Sequence, residues 1–393
     1  MSVAMRIISA AIASAIALAF PFSAWAEEKI SQSVTVDLDE KSTYSALRED
    51  GSVNEKNWMG LPDWILSGQA DAELRVSLPC GLELAASPRI AWKELNGRLD
   101  ETEFVAEWDS SEDATILLYR AEASLSLPAI GLRASFEKDR PQFGANYITP
   151  FSVLNLRGRD EYDDGLWMGE LELNVGDLGF EAYCQAQKDP LVGTVAQALL
   201  GEHEIGFLYR YDKGSELGAW YRGQIGDELI PYAEYLLRES SAFLYVDGLA
   251  ERPEGWNSDA LAGIGYSPAS LNASFYLEYR YRQCGYSGED WKDAQSLSPP
   301  EQAALLSDLP SLQTSLHSLG LYAKNTTEIG ERVSWSAFLA FLSPSGLYAS
   351  ASLSVRLSEQ CSLELNPCVA THFGEDLSET AFWPYAWKCS LSA

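Results

Sequence analysis

The segment Leu347-Tyr-Ala-Ser-Ala-Ser-Leu-Ser-Val-Arg-Leu357 alternates without interruption. Leu347, Ala349, Ala351, Leu353, Val355 and Leu357 are apolar; Tyr348, Ser350, Ser352, Ser354 and Arg356 are polar or amphipathic. Successive side chains of a strand point to opposite faces, so the spacing predicts a β-strand with one greasy and one wet face. A single strand of this kind fits a soluble sandwich as well as a membrane wall. How often the pattern recurs decides between them.

It recurs from end to end. Ile65–Leu78 sets Leu66, Ala70, Ala72, Leu74 and Val76 against Gln69, Asp71, Glu73 and Arg75, then turns at Pro79-Cys80-Gly81. Leu82–Lys93 follows, with Pro88 expected to mark a bulge because it has no N–H for a ladder. Leu117–Leu127 turns at Pro128-Ala129 into Ile130–Phe136, and Trp167–Val175 turns at Gly176-Asp177. Asn272–Arg282, Val333–Phe341, Cys361–Val369 and Trp383–Ala393 repeat the alternation, and Ala242–Val246 is a weaker strand. Longer polar connections, Pro141–Asp164, Lys188–Gly201 and Ser287–Ser315, alternate with the short turns. Ser343-Pro344-Ser345-Gly346 is short where a long one is expected.

Long strands joined by short turns on one side and long loops on the other predict an all-β fold. The expected form is a transmembrane antiparallel up-and-down β-barrel of about 16–18 strands. A soluble sandwich would have to bury many charged side chains, at several kcal/mol each. No linker divides the chain, so residues 27–393 read as one outer-membrane barrel. Residues 1–26 read as a cleaved export signal: Arg6, an apolar run to Phe20, then Ala24-Trp25-Ala26. No other stretch reaches the roughly 18–20 apolar residues of a membrane helix. Partners implied by this reading are outer-membrane lipids, the barrel-assembly machinery and small-molecule solutes.

The formal charge of −29 argues against nucleic acid or other polyanions. Along the wet faces, however, acids and bases balance: Arg120, Glu122, Arg133, Glu137, Arg280, Arg282 and Arg356 are expected to line the pore. Cross-strand pairs are expected for Asp71–Arg89 and Arg120–Glu137. The excess acid lies in loops. Asp100–Asp113 carries seven acids and no base, a solvated loop or a weak divalent-cation surface. Acidic loops at a channel mouth predict a preference for cations.

Pro141–Asp164 is the most informative connection. An apolar Tyr147-Ile-Thr-Pro-Phe-Ser-Val-Leu154 leads into Arg157, Arg159, Asp160, Glu161, Asp163 and Asp164. Apolar residues at the head of a long loop predict that it folds inward and narrows the pore, with the charged group forming a transverse field. Capping of the rim is the alternative. Gly131-Leu-Arg-Ala-Ser-Phe-Glu-Lys-Asp139, Ile148-Thr-Pro-Phe-Ser-Val-Leu-Asn155 and Asp164-Gly-Leu-Trp167 together resemble a run in porin-like barrels of the alginate-export type. The resemblance implies a porin-like fold. In that type the lumen is a basic, polyanion-conducting tube, whereas the wet faces here balance.

No catalytic constellation is legible. The three histidines, His203, His317 and His372, show no metal spacing, and neither a nucleophile elbow nor a P-loop occurs. No enzyme activity, metal or cofactor is expected. The six cysteines have no zinc-type spacing, and a symmetric final hairpin would set Cys361 opposite Cys389. Ser298-Pro-Pro-Glu301 reads as a helix start with Ser298 as N-cap. Two functions remain: a channel for small solutes narrowed by the loop 141–164, or a surface receptor or adhesin using acidic extracellular loops on a barrel anchor.

Overall fold

The computed structural model describes residues 31–47, 64–77, 82–95, 115–139, 144, 145, 147, 152–154, 166–185, 191–211, 214–239, 255–298, 301, 314–330, 332–358, 361–373, 380 and 385–392. Among the described residues eighteen antiparallel strands form one sheet, each paired with its sequence neighbours. In chain order they are β1 (Ser31–Leu47), β2 (Trp64–Ser77), β3 (Leu82–Leu95), β4 (Thr115–Leu127), β5 (Leu132–Asp139) and β6 (Leu166–Val175). Then come β7 (Leu178–Gln185), β8 (Leu191–Leu200), β9 (His203–Tyr211), β10 (Ser215–Gly223), β11 (Leu229–Arg238) and β12 (Asn257–Tyr266). The last six are β13 (Ser274–Arg282), β14 (His317–Lys324), β15 (Val333–Leu342), β16 (Gly346–Ser358), β17 (Cys361–His372) and β18 (Tyr385–Ser392).

β1 pairs with β2 through Ser31–Tyr44 and with β18 through Lys41–Leu47, so every strand has a neighbour on both sides. That solves the backbone problem in lipid, where an unpaired N–H has no water to turn to. Connections 48–63, 96–114, 140–165, 239–256, 283–316 and 373–384 leave from one rim. The other rim has only 78–81, 128–131, 176–177, 201–202, 224–228, 267–273, 325–332 and 359–360. The turn 343–345 is indeed short on the long-loop rim, and so are 186–190 and 212–214.

The outer face is apolar. Leu171, Leu173, Leu277, Leu319, Leu321, Leu339 and Leu353 are all exposed, as a lipid-facing band requires. Aromatic side chains stand near both rims: Tyr211, Tyr279 and Phe341 toward the long loops, Phe180 and Tyr266 toward the short turns. Among the described residues no helix is long and apolar enough to cross a membrane, which says nothing of a barrel.

Register tests the pairings expected from sequence. Asp71 does face Arg89, and the β3–β4 ladder shifts between Ser87 and Pro88, where proline breaks the hydrogen bonding. Arg120 does not face Glu137; Glu122 does. The 3-10 turn Pro128–Ile130 and Gly131, at φ 66°, make the reversal longer than the two-residue turn assumed. A slip of two residues keeps every side chain on its face, so the faces survive the error. Cys389 faces Pro367 rather than Cys361, because the 373–384 connection is long and displaces the final hairpin. Cys361 and Cys389 are both free thiols.

One strand was hidden. β8 lies inside the stretch expected to be the polar connection Lys188–Gly201. Its inward residues Leu191 and Val195 are apolar and buried, so the alternation that reveals the other strands is missing. The segment Ala242–Val246 lies outside the described residues. In the 283–316 connection, Ser287 and Asp290 close a reciprocal cap on the short helix α1 (Gly288–Asp293). Ser298 donates its N–H (2.7 Å) to the Glu301 carboxylate, the bond the expected cap calls for, and its hydroxyl (2.5 Å) donates there too; these bonds hold the Glu301 carboxyl below the usual carboxylate range.

Candidate functional site

The inner wall is divided. From β6 to β15 its inward side chains form an apolar cluster: Met168, Tyr183, Val195, Leu208, Trp220, Tyr232, Leu236, Leu261, Tyr276, Ala340 and Leu342. A polar lumen was expected throughout; here the inward charges, Glu234, Glu278, Arg280 and Arg282 among them, share the wall with this apolar cluster. On β4, β5, β16 and β18 the inward positions include the serines Ser124, Ser135, Ser350, Ser352, Ser354 and Ser390.

The apolar half is apolar because something packs on it. Ala145, Tyr147, Val153 and Leu154 belong to the 140–165 connection, yet they join the cluster inside the barrel. Leu154 is fully buried and lies over Gly218, where a β-carbon would sit 2.7 Å from its Cδ2. Two inward glutamates hold the segment by its backbone. Glu234 of β11 accepts the Ala145 N–H (2.7 Å), the Val153 N–H (3.0 Å) and the Ser152 hydroxyl (3.3 Å). Glu278 of β13 accepts the Tyr147 N–H (2.8 Å) and the Tyr232 hydroxyl (2.7 Å). Arg210 of β9 donates to the Leu154 carbonyl (3.3 Å). Bonds to an ionised acceptor are stronger than neutral ones, roughly twofold, so the carboxylates are effective anchors.

Gly144 makes the approach feasible. Its φ of +102° is the left-handed region that favours glycine, and a β-carbon there would lie 2.1 Å from Glu234 Oε1. Tyr147 stacks on Tyr276 at 4.4 Å between centroids and meets Tyr232 edge-on at 5.0 Å. The described residues of the connection, Gly144, Ala145, Tyr147 and Ser152–Leu154, therefore pack against the inner wall.

Buried charges brace the same wall nearer the long-loop rim. Arg210 pairs with Glu216, with Nε 2.5 Å from Oε2. Asp259 of β12 sits between Arg238 of β11 and Arg282 of β13, the latter at 3.4 Å. Arg280 donates to Ser318 Oγ at 2.8 Å. Toward the short-turn rim Glu170, Glu172 and Glu181 bring carboxylate oxygens within 4.8 Å of one another, with Arg133 3.7 Å from Glu172 and Ser135 3.2 Å from Glu170.

The residues expected to line a pore are thus scattered. Arg280 and Arg282 are buried in the braced wall, Arg133 joins the acidic trio, and Arg356 pairs at the exposed short-turn rim with Glu328 at 2.6 Å. Arg120, Glu122 and Glu137 lie on β4 and β5, but their side chains lie outside the described residues. Arg157, Arg159, Asp160, Glu161, Asp163 and Asp164 also fall outside them. Sequence reading missed Glu216 and Asp259, although each alternates in step with the inward positions of its strand. In the sequence Glu234 and Glu278 fall on the wet face of their strands, but nothing there marks them as anchors. His203 and His317 bond tyrosine hydroxyls, Tyr221 at 3.0 Å and Tyr279 at 2.8 Å.

No family model matches the sequence, and no curated protein matches it. Solved structures do match. OccK5 (OpdH) of Pseudomonas aeruginosa superposes with a TM-score of 0.55 at 10% identity, over 91% of this chain and 96% of that one. The fold is that of a porin-like barrel. OccK11 (OpdR) of the same organism agrees, with a TM-score of 0.54 at 9% identity over 92% and 95% of the two chains. A triple mutant of the Rhodopseudomonas blastica porin covers 92% of this chain and 99% of its own at 11% identity, with a TM-score of 0.42.

Proposed function

We propose that the chain is an outer-membrane channel for small solutes, its bore narrowed by the 140–165 connection. The observation that carries this reading is the anchoring of Ala145, Tyr147 and Val153 to Glu234 and Glu278 inside the wall. A barrel that only displays loops has no need of a connection docked in its lumen. Residues 1–26 act as the export signal, the assembly machinery inserts residues 27–393 as a single barrel, and lipids cover the apolar band. The porin-like fold supports this reading; the finer likeness to alginate-export barrels concerns fold and not cargo. No reaction is proposed.

The measurement is swelling of vesicles carrying the refolded full-length chain, challenged with small uncharged solutes of graded size. Swelling that falls with solute size is expected. Vesicles that stay osmotically silent while the barrel is folded favour the receptor or adhesin reading. The acidic excess predicts that the channel prefers cations, which a reversal potential in a salt gradient measures.

A further inference from the structure

A band of inward aromatic rings crosses the inner wall from β11 to β16. Tyr232, Tyr147 and Tyr276 meet as described above, and Tyr276 lies 6.0 Å from Tyr322 of β14. Tyr322 faces Phe338 of β15 in the ladder, and Phe338 lies 5.9 Å from Tyr348 of β16. The band changes character along its length. Tyr232 and Tyr276 are buried beneath the docked segment, whereas Tyr322, Phe338 and Tyr348 are only partly covered. The latter three stand at inward positions of their strands, so their uncovered faces look into the lumen.

A second feature adjoins the exposed end. In the β15–β16 ladder, Ser334 faces Ser354, Ser336 faces Ser352, and Phe338 faces Ser350. A double column of inward hydroxyls therefore starts directly beside the rings. The nearby charges are of opposite sign. Lys324 faces Ser336 and holds its ammonium 5.9 Å from the Tyr276 ring, while Glu364 of β17 accepts the Ser352 hydroxyl at 3.0 Å.

We infer that this surface is a solute-binding site for neutral, ring-shaped, hydroxyl-rich molecules of the saccharide class. Aromatic faces take up the C–H face of a sugar ring, and adjacent hydroxyls donate to and accept from its substituents. Apolar lining with a few placed polar groups is the general form of a small-molecule site. A purely aromatic solute would leave the serine column unused. A charged one would find no unbalanced partner among Lys324 and Glu364. The inference rests on the channel reading and names its substrate class.

The test is equilibrium binding of maltotriose to the full-length chain in detergent, read by calorimetry, with tryptophan as the flat aromatic competitor. Swelling of vesicles made from the same preparation reports channel activity separately. Saturable maltotriose binding is expected, weakened about tenfold, or about 1.4 kcal/mol, when Phe338→Leu and Tyr348→Leu remove the π-faces but keep apolar bulk. Phe338→Leu alone, the milder change, should weaken it in the same direction. A chain that swells vesicles yet binds no maltotriose, binds it equally in the leucine variants, or prefers tryptophan overturns the inference while leaving the channel intact. Maltotriose binding without swelling would instead count against the channel.

Discussion

Asp259 holds two buried guanidinium groups, Arg238 and Arg282, from the strands on either side of its own. Removing one partner of a buried pair leaves uncompensated charge and costs about 3–5 kcal/mol. Asp259→Ala should therefore lower the unfolding free energy from urea titration in vesicles by an amount of that order; an unchanged value would show that water reaches these groups. Gly144 carries a different burden. A β-carbon at its position meets Glu234 and forces a backbone conformation that costs about 1–3 kcal/mol. Gly144→Ala should loosen the docked segment without unfolding the barrel. Its signature is added flicker in single-channel current at unchanged urea stability, and a quiet channel like that of the parent would speak against the anchor.

At the scale of the element, the opening strand β16 has its serines inward and Leu353 and Leu357 exposed on the outer face. The same logic gives β14 an outer face of Leu319 and Leu321. A charge at the bilayer midplane of such a face costs about 2–4 kcal/mol, so Leu321→Arg should destabilise the barrel by that amount in urea titrations. Ser352→Arg, one of the inward positions, should cost far less; equal losses would mean the faces are assigned backwards. Where inward residues are polar, alternation was legible and the strand was found. β8 escaped because Leu191 and Val195 pack inside against other apolar groups, so both of its faces look greasy. Turn length was less legible than face. The left-handed Gly131 lengthened one reversal and moved Arg120 out of line with Glu137, a detail that side-chain periodicity does not encode.

For the whole molecule, the described residues of the 140–165 connection, Ala145, Tyr147 and Ser152–Leu154, pack on the inner wall. The apolar head Tyr147–Leu154 hinted at such a contact, but its anchors were not legible. Glu234 and Glu278 lie 81 to 131 residues from the groups they hold, a separation no local pattern spans. The inner wall has a packed side, built on the anchored segment, and a side with inward serines, which the proposed channel would use for passage. Single-channel conductance in planar bilayers of a variant lacking residues 144–154 tests this arrangement most directly. The account predicts that deletion raises the conductance and alters its selectivity. A folded variant whose conductance and selectivity match the parent's would contradict it.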